Sequence, residues 1–271
     1  MPDMRRKVAL VTGASSGIGL ELARLVAADG FDLVMVARDT GRLERLAEQF
    51  RTRHNIAAQI HATDLSQPGA ALALWSEIVG RGIVVDVLVN NAGTGLYGLF
   101  AEQADAAVER MVTLNVSTLT TLTRLALPGM LIRGWGRILN VASIVAYQPG
   151  GPRMAAYYAT KSYVLSFSRG LARELTGSGV SVTALCPGPT HTSFEDDAGA
   201  SRTILYSRVF VMNPSDVARA GYRGMMQKTT VVVPGLAAKI LALAGGLPPR
   251  RIALEVNRLL LTEKRSGSER R

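Results

Sequence analysis

A chain of 271 residues, 48% hydrophobic and carrying a formal net charge of +10, is long enough to bury one large core, and no linker-like stretch divides it. Its one cysteine, Cys186, excludes an intrachain disulfide and a cysteine metal cluster; standing before Pro187 at a strand end, it reads as a small buried thiol. No apolar run reaches the roughly 18 to 20 residues of a membrane span, and the basic excess lies in short clusters without interleaved aromatic residues, which argues against a nucleic-acid partner.

Taken from the start, Met1 to Lys7 is charged and runs into the first strand with no separate apolar signal region, so the expectation is a cytoplasmic protein. Short apolar runs then alternate with amphipathic stretches. Strands are predicted at Val8 to Val11, Asp32 to Val36, Ala58 to His61, Val85 to Val89, Arg137 to Val141, Val180 to Leu185 and Thr230 to Val233, with helices between them. The pattern implies one α/β domain: a doubly wound, mostly parallel, seven-stranded sheet with helices on both faces, its core spanning about residues 7 to 233. A ligand crevice is expected beyond the carboxyl ends of the strands, where the winding reverses.

The first strand ends in Thr12-Gly13-Ala14-Ser15-Ser16-Gly17-Ile18-Gly19 and opens the helical pattern Leu20, Leu22, Ala23, Leu25, Val26. A strand, a glycine turn and a helix N-terminus hold a diphosphate on free N–H groups. Gly13 suits a tight turn with positive φ, Gly17 leaves room for a phosphate, and Gly19 lets helix and strand pack closely. The second strand ends in Val36-Ala37-Arg38-Asp39. An acidic residue there would accept from a ribose 2′-hydroxyl, whereas arginine can neutralise a 2′-phosphate, so Arg38 after Ala37 points to NADP(H).

Tyr157 and Lys161 form Y-x-x-x-K inside the helical stretch Met154 to Leu175, and residues four apart share a helix face. A nearby ammonium in a partly dehydrated cleft favours phenolate, and bringing a phenol from a pKa near 10 toward 7 takes roughly 4 kcal/mol. Ser143 stands just past the strand Arg137 to Val141, where its hydroxyl can hydrogen-bond a carbonyl oxygen that also meets the tyrosine.

With Gly13/Gly17/Gly19, Asn90-Asn91-Ala92-Gly93, Asn115, Ser143, Tyr157, Lys161 and Pro187-Gly188 in this order, the chain resembles the single-domain short-chain dehydrogenase/reductases of Rossmann type, from about Lys7 to Val233. The resemblance implies a hydride-transferring oxidoreductase working on a ketone/alcohol pair. Tyr157 would give or take the proton, Lys161 would lower the tyrosine's pKa and bind the nicotinamide ribose, Ser143 would polarise the substrate oxygen, and Asn115 would hold a water linking the lysine to solvent. It also implies that Gly13, Ser15, Ser16, Gly17, Ile18 and Gly19 form the diphosphate loop and that Asp64 and Leu65 meet the adenine, though Asp64 equally suits a helix N-cap. Asn90, Asn91, Ala92 and Gly93 would lie against the cofactor, with Asn90 also bracing the sheet, and Pro187, Gly188 and Thr190 or Thr192 would line the nicotinamide and diphosphate. A homodimer or homotetramer is implied as well.

The stretch from Pro189 to Asn213 breaks the rhythm and reads as a substrate loop. With Gly95 to Phe100 and Ala146 to Met154 it would roof a pocket for an apolar or amphipathic small molecule. Residues 235 to 271 form an apolar and basic extension, whose apolar stretches Leu236 to Leu247 and Ile252 to Leu261 read as helices covered by the domain or a sister subunit in preference to a membrane. His54, His61 and His191 show no metal-ligand spacing, and hydride chemistry needs no metal. The rival reading is a non-catalytic dinucleotide-sensing protein on the same fold, against which the intact set of Asn115, Ser143, Tyr157 and Lys161 argues.

Overall fold

A computed structural model describes residues 5–192, 194, 198–199, 203, 211–245 and 250–262. Seven strands form one sheet in the order β3-β2-β1-β4-β5-β6-β7, and every pairing is parallel. The strands are β1 (Val8–Thr12), β2 (Asp32–Ala37), β3 (Ala58–Ala62), β4 (Val85–Asn90), β5 (Gly136–Val141), β6 (Val180–Leu185) and β7 (Val231–Val232). The chain winds one way from β1 to β3, crosses back to β4 beside β1, and winds the other way to β7. The switch point therefore lies between β1 and β4, where a crevice opens beyond the strand ends. The predicted strands differ at their ends by a residue or two. β7 is shorter than expected because only Val231 and Val232 find partners, Ala184 and Leu185.

The central strands read as continuous apolar runs because both faces are covered. β4 and β5 are buried at every position. On one face lie α1 (Gly17–Ala28), α2 (Thr40–His54) and α7 (Pro214–Met226), contributing Leu22, Val26, Leu43 and Val217 to a core with Ala9, Val11 and Met35. The other face carries α3 (Ala70–Gly80), α4 (Asp105–Val112), α5 (Leu119–Ile132) and α6 (Ala155–Glu174), with Leu74, Ile78, Leu122 and Met130 packing on Leu10, Val34 and Ile138. Each of these fully buried aliphatic side chains contributes roughly 1.5–3 kcal/mol.

Beneath the crevice a line of buried polar groups crosses the layers. Asn90 Nδ2 donates to Thr123 Oγ1 (3.0 Å) and to Asn140 Oδ1 (2.9 Å), Asn140 Nδ2 donates to Ser168 Oγ (2.9 Å), and Ser168 donates to Val164 O (2.7 Å). Asn90 is thus the sheet brace, joining β4, β5, α5 and α6.

α4 passes into α5 through a π-helical turn, Thr113–Thr118, which carries Asn115. The sequence pattern predicts a helix there but not its wider winding, a feature often found where a helix serves a site. After β7 come α8 (Leu236–Gly245) and α9 (Arg250–Leu260). Ala238, Ala242 and Leu261 pack beside Tyr158 and Met154, so one side of this pair is covered as expected. The opposite side is not: Leu236 is 75%, Ile240 58% and Leu243 72% exposed. Most of the predicted loop at 189–213 lies outside the described residues. Its ends are tied by a parallel bridge between Thr190 and Met212.

Candidate active site

A cavity of about 830 Å³ opens at the β1/β4 switch point. One wall is the glycine loop. Gly13 has φ +66° and Gly17 φ +54°, conformations that a side chain would strain. A Cβ on Gly19 would sit 2.2 Å from Gly13 O, so close packing of α1 on the loop requires glycine there. Ser16 occupies the N-cap of α1 without forming a side-chain cap, and no acidic residue lies in the first turn. Free N–H donors and the positive helix end therefore face the cavity.

The loop is held by the neighbouring strand. Thr12 Oγ1 accepts from the backbone N–H groups of Asn91 and Ala92 (both 3.0 Å) and donates to Val89 O (3.2 Å). Asn91 Nδ2 donates to Thr12 O (2.9 Å) and Gly13 O (3.3 Å). Asn91 is thereby a brace of the loop as well as part of the wall. Arg38 is exposed at the rim beyond β2, while Asp39 caps α2 by accepting from Arg42 N (2.9 Å). Asp64 accepts from Ser66 N (3.0 Å), Ser66 Oγ (2.7 Å) and Gln67 Nε2 (3.0 Å). Burial works to raise its pKa, but the hydrogen bonds from Gln67 and Ser66 and the charge of Arg38 outweigh it and hold the carboxyl below its ordinary value. Asp64 therefore closes a turn of its own and does not cap α3, whose N-cap is Gly69; with Leu65 and Arg38 it lines the same end of the cavity.

The opposite wall carries the polar cluster. Ser143 begins a 3-10 turn after β5, accepting from Val145 N (3.3 Å), with its hydroxyl close enough to Tyr157 to work toward lowering that phenol's pKa. Tyr157 and Lys161 project from α6 on one face, as their spacing requires, and Lys161 Nζ lies 5.9 Å from the Tyr157 ring centroid while donating to Val141 O (2.9 Å). Asn115 stands behind this wall. Its Nδ2 donates to Thr94 O (2.8 Å) and Thr160 Oγ1 (3.1 Å), its Oδ1 accepts from Thr94 N (3.0 Å), and Thr160 donates on to Tyr157 O (2.7 Å). A Cβ on Gly93 would come within 3.1 Å of Asn115 Oδ1 and 3.4 Å of Lys161 Nζ, so this glycine leaves space where the two groups converge. Pro187, Gly188, Thr190 and Thr192 close the cavity between the walls, and a Cβ on Gly17 would meet the Thr192 methyl at 2.8 Å.

Of the predicted cofactor and catalytic residues, Gly19, Asn90 and Asn115 do not line the cavity; they sit one layer back and support those that do, and of the predicted roof segments 95–100 and 146–154 only Leu96 and Met154 reach it. The sequence offered no role for Thr12 or Thr160, because their partners lie 77 to 80 and 45 positions away. Nor did it single out Phe194, whose ring centroid lies 5.4 Å from that of Tyr157.

The expected acidification of the phenol is outweighed by burial in this arrangement: burial pushes Tyr157 up to about 12, against a smaller lowering by Ser143, and brings Lys161 down to about 8. Both side chains are less than 10% exposed, and burial penalises whichever form is charged. Cys186 beside them is a buried thiol pushed up to about 12, again by burial.

The glycine cradle, the uncapped helix end and the open space at Gly93 fit a dinucleotide laid across the strand ends. The comparisons with known proteins agree. The family model for short chain dehydrogenases matches residues 7–203, and the chain belongs to that family of oxidoreductases. Members of this family bind a nicotinamide dinucleotide.

Among individual relatives, the ketoacyl reductase HetN of Nostoc sp. is 32% identical over 236 residues, 86% of this chain and 80% of its own length. A short-chain dehydrogenase from Sphingobium yanoikuyae, solved in complex with NADPH, is 33% identical with a TM-score of 0.79 over 98% of this chain and 100% of its own. The bulky-bulky ketone specific alcohol dehydrogenase of Comamonas testosteroni is 31% identical with a TM-score of 0.74, over 88% of this chain and 90% of its own.

Proposed function

We propose that this chain is an NADP(H)-dependent carbonyl reductase for an apolar or amphipathic ketone, with Tyr157 as proton donor, Ser143 and Lys161 as its partners and Asn115 as their support. The observation that carries the reading is the meeting of Ser143, Tyr157 and Lys161 on one wall of a cleft whose other wall is an uncapped helix N-terminus. When bound, the nicotinamide supplies or accepts the hydride. Everything else falls to the protein.

Ser143 orients the carbonyl oxygen beside the phenol. A Tyr157 held at about 12 stays protonated at neutral pH, the form needed to give a proton to the developing alkoxide, a far stronger base than phenolate. Lys161, protonated below about pH 8, stabilises the phenolate left behind and offers its ammonium to ribose hydroxyls. The glycine loop would hold the diphosphate, Arg38 a 2′-phosphate, and Asp64 and Leu65 the adenine end. Leu96, Ile144, Val145, Met154 and Phe194 make the substrate side apolar. That lining agrees with the ketone named for the Comamonas enzyme and the ketoacyl substrate named for HetN.

The test is a panel of ketones followed by NADPH absorbance, with NADH compared at equal concentration. Turnover of bulky ketones with NADPH preferred in kcat/KM is the expected result. No turnover across the panel with tight dinucleotide binding would instead establish a sensor.

A further inference from the structure

The C-terminal pair of helices is two-sided in a way the catalytic reading does not use. Inward, it is fastened to the substrate end of the cleft: Tyr97 Oη donates to Leu261 O (2.7 Å), Gln148 Nε2 to Leu241 O (2.9 Å) and Asn257 Nδ2 to Gly150 O (2.6 Å). Outward, Leu236, Ile240 and Leu243 lie at helical spacing along α8, between 58% and 75% exposed, and Leu259 of α9 is 57% exposed. Large aliphatic side chains bared together mark a contact surface. The same segment is strongly basic. From Leu236 to Arg271 eight Lys and Arg stand against three Glu, so it holds half of the chain's net charge of +10. Lys239 is exposed within the α8 stripe, and Arg258, exposed beside Leu259, is ion-paired with Glu255 on its own helix.

We propose that this face docks on the surface of an anionic phospholipid bilayer, with the leucine stripe in the acyl boundary and the flanking cations among the headgroups. A bared aliphatic stripe in a segment whose sequence carries a net positive charge is what such an interface binds. A second copy of the chain suits the face less well, because a two-fold contact sets each basic segment against its own image. No helix among the described residues is long and apolar enough to cross a membrane, so the attachment is peripheral. Through the three hydrogen bonds to Leu241, Leu261 and Gly150, docking sets the substrate end of the cleft next to the lipid, whichever carbonyl compound is reduced there.

The experiment is flotation of the full chain with vesicles of phosphatidylcholine alone, or with phosphatidylglycerol added, comparing wild type with the triple variant Leu236→Gln, Ile240→Gln, Leu243→Gln. The variant keeps every charge, and its three positions are mostly exposed, so an unchanged melting temperature is expected. Wild type should float with the anionic vesicles and not with the neutral ones, and the variant's partitioning should fall by at least about tenfold. Three results would overturn the proposal: no flotation of wild type with anionic vesicles, equal flotation of the variant, or a wild-type dimer that the variant dissolves, since a second copy would then cover the face.

Discussion

Lys161→Met should make the protein more stable at neutral pH while abolishing its proton chemistry. The ammonium is 5% exposed, and burial brings its pKa to about 8 from 10.5. At 1.36 kcal/mol per pH unit that gap amounts to about 3 kcal/mol of destabilisation while the lysine is protonated in both folded and unfolded chains. Methionine is similar in length, carries no charge and forfeits the hydrogen bond to Val141 O, a loss of about 1–2 kcal/mol. The expected net gain is about 1–2 kcal/mol at pH 7.

The sign reverses with alkali. Above pH 8 the folded lysine sheds its proton while the unfolded one keeps it up to 10.5, so wild-type stability rises through that window and the variant's advantage shrinks. Urea unfolding of both proteins at pH 7 and near pH 9.5 measures the two gaps. A variant less stable at pH 7, or a gap that does not close with pH, would show that the buried ammonium is not the burden assigned to it.

Tyr157→Phe should lower turnover by about 10²–10⁴-fold with NADPH affinity kept, read by absorbance and by nucleotide fluorescence titration. Retained turnover would remove the phenol from the mechanism. Arg38→Ala should weaken NADPH binding by roughly 10–100-fold and leave NADH unchanged, the range expected for a charge-assisted contact to one phosphate; equal losses for both nucleotides would refute its role. Gly19→Ala places a methyl 2.2 Å from Gly13 O and should cost about 1–3 kcal/mol in thermal unfolding, along with dinucleotide affinity.

Much of this was legible from local pattern. Strands covered on both faces must be apolar throughout, so β4 and β5 announce themselves, and a four-residue spacing on α6 places Tyr157 beside Lys161 whatever surrounds them. What stayed hidden depends on residues far apart in the chain. The burial that raises the Tyr157 pKa comes partly from Phe194, which folds over it from the next loop, and no spacing within α6 encodes that contact. The π-helical turn around Asn115 was equally invisible, because apolar periodicity scarcely distinguishes a wider turn from an ordinary one. The extension after β7 was legible as helices, but which side of them would be left bare depends on Tyr158, Met154 and Tyr97, to which they are fitted.

Thr12 has one proton to give and two lone pairs to lend, and Val89, Asn91 and Ala92 claim all three. With that hydroxyl saturated, the tips of β1 and β4 behave as a single riveted seam. The floor under the ligand cannot yawn or pinch to admit it. Ligand exchange should therefore proceed without any flexing of this seam.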